Sequence, residues 1–120
     1  MNSRKGAAAS TGSPDVKVPG TAAVIASAHP DLWDAYQRFG EQVTAAGPLD
    51  ARTQRLVHLA FAIATGSEGA THSHARRALD AGLIAAELEH VALLAATTLG
   101  WPQAVKGYTW VHDVTGLHRD

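Results

Sequence analysis

A chain of 120 residues, 46% hydrophobic and 18% charged, has the length of one globular domain and enough apolar content for a core. Its 10 Lys and Arg against 11 Asp and Glu leave a net charge of -1, so it lacks the overall basic field that draws in nucleic acid or an anionic membrane surface. The absence of cysteine excludes disulfides, thiolate metal sites and thiol-based catalysis.

Residues 1–20 are rich in Ser, Gly, Ala and Pro without periodicity, which predicts a flexible N-terminal tail. The basic start is followed only by a short, weakly apolar GAAAS run. That is too little for a secretory signal, so a cytoplasmic location is expected. No stretch reaches the roughly 18 consecutive apolar residues of a membrane helix.

From residue 21 to 120 the apolar spacing is helical throughout, which predicts a single all-α domain of about six short helices. After the apolar TAAVIASA segment, Pro30 suits the first turn of a helix. Leu32, Tyr36, Phe39, Val43 and Ala46 line one face of it. Gly47-Pro48 is expected to end that helix, with glycine in the left-handed cap conformation. Asp50 is a good N-cap for ARTQRLVHLAFAIAT, which turns apolar on nearly every face after Leu56 and so reads as a buried helix. Gly66 stops it. Ser67 then caps a helix to Ala81 with Gly82 as its terminator.

The next segment, AAELEHVALLAATTL, places Leu88, Val91, Ala95 and Leu99 on one face before Gly100. Pro102 opens the last helix, with Val105, Tyr108, Trp110 and Val111 as its apolar residues. The helices around 55–65 and 86–99 are the expected core. Their small polar faces predict a homo-oligomer that buries the excess apolar surface.

The stretch GSEGATHSH, Gly66 to His74, concentrates the chemistry of the chain. His72 and His74 are two apart, about 200° around a helix, and cannot share one ion. No metal is expected. Glu68 and His72, at i,i+4, read as a modest surface pair. Ser67, Ala70, Thr71, His74 and Ala78 share another face, whose alanines suggest burial. His74 there is either a hydrogen-bonded core histidine or a general acid–base group in a desolvated cleft. Arg76 and Arg77 follow, suited to gripping a carboxylate or simply solvated. His58 and His90 are candidates for the same cleft. Neither a phosphate loop nor a nucleophile elbow is present.

The run from Leu49 to Val105 resembles the carboxymuconolactone decarboxylase family, which includes the alkylhydroperoxidase D type proteins. The resemblance rests on Leu49-Asp50, the apolar helix ending in Gly66, His74 followed by Ala-Arg-Arg-Ala, the Ala81-Gly82 stop, and the Glu87–Leu99 helix closed by Gly100 and Pro102. It implies an all-helical fold assembled as trimers or hexamers. In the family's peroxidase branch a Cys-x-x-Cys pair precedes the histidine. Here Ser67 and Ala70 hold those positions, and Arg55 stands where that branch carries a glutamate. A peroxiredoxin label would thus apply at family level only. The decarboxylase branch needs neither cysteine nor cofactor. It implies loss of carbon dioxide from a small anionic lactone or keto acid, with His74 as proton donor. Arg55, Arg76 and Arg77, with Ser67 and Thr71, are then the candidate substrate-binding residues. A non-catalytic oligomer or small-acid binding module on the same scaffold is the alternative.

Overall fold

A computed structural model of the protein describes residues 20–116. The expected tail therefore lies outside the described residues except for Gly20, which opens the first helix. The described residues form six α-helices and one 3₁₀ turn, without a strand. The chain divides into two compact units at Pro48–Leu49.

The first unit contains α1 (Gly20–Ala28) and α2 (Pro30–Thr44). Pro30 occupies the first turn of α2, as its missing N–H and fixed φ favour. Leu32, Tyr36, Phe39 and Val43 are all exposed. The expected end of α2 is corrected. The Ala45 N–H bonds to the Glu41 carbonyl and the Ala46 N–H to that of Val43, so the helix closes at Thr44. Gly47 does not take a positive φ.

The second unit holds α3 (Ala51–Thr65), α4 (Glu68–Asp80), α5 (Ala85–Leu94), the 3₁₀ turn Ala95–Thr97 and α6 (Trp101–Thr115). Asp50 caps α3 by accepting the Thr53 N–H at 2.8 Å. Gly66 ends α3 at φ 74, a left-handed conformation that glycine adopts without a Cβ penalty. Glu87 reaches back to accept the Ile84 N–H at 3.0 Å and pairs with Arg52, tying the start of α5 to α3.

The core of this unit is drawn from four helices: Leu59 and Ile63 of α3, Ala75 and Ala78 of α4, Leu88 and Ala92 of α5, and Ala104, Val111 and Val114 of α6. Two features depart from the sequence reading. The α-helical part of the 86–99 segment stops at Leu94, because the Thr97 hydroxyl donates to the Leu94 carbonyl and the Leu99 and Gly100 N–H groups both turn back to Ala95. Leu99 is consequently exposed rather than in line with Leu88. In α6 the buried residues are Ala104, Gly107, Val111, Val114 and Thr115, while Val105 is exposed. Gly107 carries α6 so close to α3 that a Cβ there would stand 2.7 Å from Ile63 Cγ2. The buried Glu89 of α5 accepts the Thr115 hydroxyl at 2.8 Å, joining α5 to α6 by a satisfied polar contact.

Candidate active site

The junction between α3 and α4 is built by two caps in succession. After Gly66, Ser67 takes an extended conformation, and its Oγ accepts the Ala70 N–H at 3.1 Å. The Thr71 hydroxyl, fully buried, donates to the Ser67 carbonyl at 2.7 Å. Both hydroxyl groups thus serve the backbone, fixing where α4 begins.

Because the link is so short, α4 runs back along α3, and residues equidistant from Gly66 come side by side. His58 and His74 each stand eight residues from Gly66, and Arg55 and Arg77 each eleven. The two imidazoles meet with ring centroids 5.4 Å apart and a tilt of 48°. His74 Nδ1 is buried and has no hydrogen-bond partner among the described residues.

Burial, and then the positive charges of Arg77, His58 and Arg55, push the His74 pKa down to about 4. His58 is lowered as well, first by desolvation and then by Arg55 and Arg77. Two imidazoles whose charged forms are disfavoured, beside two permanently charged guanidiniums, combine proton-transfer groups with anion attraction.

Of the candidate residues read from the sequence, His74, Arg55 and Arg77 are brought together. Ser67 and Thr71 lie one to two turns earlier on α4, and Arg76 is exposed. His58 joins the group, whereas His90 is exposed on α5. The signal for His58 was present in the sequence as a mirrored pattern: Arg55 and His58 three apart before Gly66, His74 and Arg77 three apart after it. His72 turns away as the helical angle requires. Its Nε2 meets Asp113 Oδ2 of α6 at 2.9 Å rather than pairing simply with Glu68.

The helical unit thus sets a partly buried histidine, its Nδ1 enclosed, next to arginines, and the chain contains no thiol. The carboxymuconolactone decarboxylase family model matches residues 30–113, and the chain belongs to that family as a member lacking the Cys-x-x-Cys pair. The match begins at the start of α2, well before the Leu49 boundary of the resemblance read from the sequence. No curated protein and no solved structure gives a significant match to the chain. No helix among the described residues is long and apolar enough to cross a membrane.

Proposed function

We propose that the protein is a cofactor-independent, decarboxylase-like lyase acting on a small lactone or keto carboxylic acid, with His74 as proton donor. The observation that supports this most is the buried, unpartnered Nδ1 of His74 beside His58, under the charges of Arg77 and Arg55. An orphaned buried polar atom is costly, and a ligand group placed there would satisfy it.

Arg55 and Arg77 form the clamp, gripping a carboxylate that the substrate retains. Clamping the departing carboxylate instead would stabilise the ground state and slow the reaction. Arg76, being exposed, is left out of this clamp. With its pKa near 4, free His74 is uncharged at neutral pH. An anion seated on the arginines offsets part of the positive charge that depresses it, so binding draws a proton onto the ring. The bond to the departing carboxylate then breaks and carbon dioxide leaves. Its electron pair stays on the carbon, delocalised into the adjacent carbonyl. The imidazolium delivers its proton to that carbon and returns to the neutral state. In sum, one carboxylate and one proton become carbon dioxide and a new C–H bond.

The same proposal includes a cytoplasmic setting and a homotrimer or homohexamer. Phe61, Leu94 and Trp101 are 63%, 53% and 66% exposed, large apolar surfaces of the kind that subunits cover. The reading is tested with a panel of lactone and keto carboxylates, following carbon dioxide release and melting temperature together. Turnover of at least one acid is expected. Stabilisation by an acid without turnover would favour a binding module, since a ligand that binds only the native state raises its stability.

A further inference from the structure

On the side of α4 away from His74, three potential metal ligands converge from two helices. Glu68 and His72 are one turn apart on α4, and Asp113 lies in the last turn of α6. One ligand atom from each of the three lies within 4.8 Å of the others. The closest pair, His72 Nε2 and Asp113 Oδ2, is 2.9 Å apart.

We propose that Glu68, His72 and Asp113 form a divalent transition-metal site, best suited to Zn²⁺, that clamps the start of α4 to the end of α6. Two ligands about 2.1 Å from one ion stand roughly 3.0–3.4 Å apart when adjacent and about 4.2 Å apart when opposite. The His72–Asp113 separation is already close to that of adjacent ligands. Glu68 is exposed, and its ligand oxygen lies within 4.8 Å of those of the other two residues. His72 is the least free of the three, its side chain 24% exposed against 49% for Asp113, so the nitrogen ligand is held in place before binding.

The chemistry of the set selects the ion. Two carboxylates balance a double positive charge, and the imidazole favours zinc, cobalt or nickel over the oxygen-seeking magnesium and calcium. The carbonyl ends of α6, near Asp113, add favourable negative potential. In the metal-free protein the contact between His72 Nε2 and Asp113 Oδ2 needs a proton between them. The ion takes that proton's place at Nε2, and the bound imidazole carries its one proton on Nδ1. Three protein ligands leave a coordination position for water.

The test is calorimetric titration of the chelator-treated full chain with Zn²⁺, and with Co²⁺ followed by visible absorption. One saturable Zn²⁺ per chain is expected, together with a Co²⁺ spectrum of low coordination number and a higher melting temperature. His72→Gln and Asp113→Asn should each weaken binding at least tenfold, while His74→Gln and His90→Gln leave it unchanged. Asp113 is exposed, so Asp113→Asn reports on binding even if His72→Gln fails to fold. No saturable binding up to millimolar Zn²⁺ overturns the proposal. So does binding that survives Asp113→Asn, or that is lost in His74→Gln.

Discussion

His58 of α3 and His74 of α4 face each other with ring centroids 5.4 Å apart, on helices joined only by Gly66 and Ser67. Burial comes first in raising the cost of charging either ring, Arg55 and Arg77 add to it for both, and His58 adds to it for His74. The folded protein therefore holds fewer protons on these groups than the unfolded chain does over mildly acidic pH.

The first prediction concerns stability against pH. The His74 pKa falls from 6.5 in the unfolded chain to about 4 in the fold. Between those values the unfolded state binds more protons, so stability rises with pH. The contribution is fully present above pH 6.5 and is lost as pH falls through about 4. Solvent screening of the partly exposed ring reduces it to about 1–2 kcal/mol. Urea unfolding across this range should show the loss in the native sequence and a flatter profile in His74→Gln. Equal slopes in the two proteins would show that His74 is not depressed.

Gly107→Ala should destabilise the fold although alanine is the better helix former. Its Cβ would stand 2.7 Å from the branched methyl of Ile63, a side chain only 1% exposed and so unable to move aside cheaply. Overpacking of about 1–3 kcal/mol, less about 1 kcal/mol gained in helix propensity, predicts a net loss of up to about 2 kcal/mol. Chemical denaturation measures it directly. A stabilised variant would mean that α6 and α3 are less tightly apposed.

The exposed Phe61 and Trp101 predict self-association. Light scattering at micromolar concentration should give the mass of a trimer or hexamer, and Phe61→Asp should shift the population toward smaller species. A monomer mass for the native sequence would contradict the oligomer.

Much of this architecture was legible in the sequence because local chemistry decides it. Asp50 and Ser67 as caps, and Gly66 and Gly82 as left-handed terminators, need only a few neighbouring residues to act, and each occupies its expected place. Gly47 failed as a terminator because Ala45 and Ala46 satisfied the last carbonyls first. In α6 Val111 takes its expected place in the core, but Val105 does not, because close approach to α3 rather than apolar size sets the packing face and Gly107 meets the core instead. His74 with Arg55 and Arg77 was within reach of sequence, and the symmetry about Gly66 distinguishes His58 from His90 as the histidine that joins them. Asp113 was not, since its meeting with His72 spans 41 residues and depends on how α4 and α6 pack.

The most direct measurement of the central claim is carbon dioxide release by His74→Gln from a lactone or keto carboxylate turned over by the native protein, with urea stability measured in parallel. A loss of at least about a hundredfold in kcat, the scale of a general acid, is expected with the fold retained. Undiminished turnover in a folded His74→Gln, or a loss of several kcal/mol of stability with ligand behaviour intact, would make His74 a core residue and contradict the account.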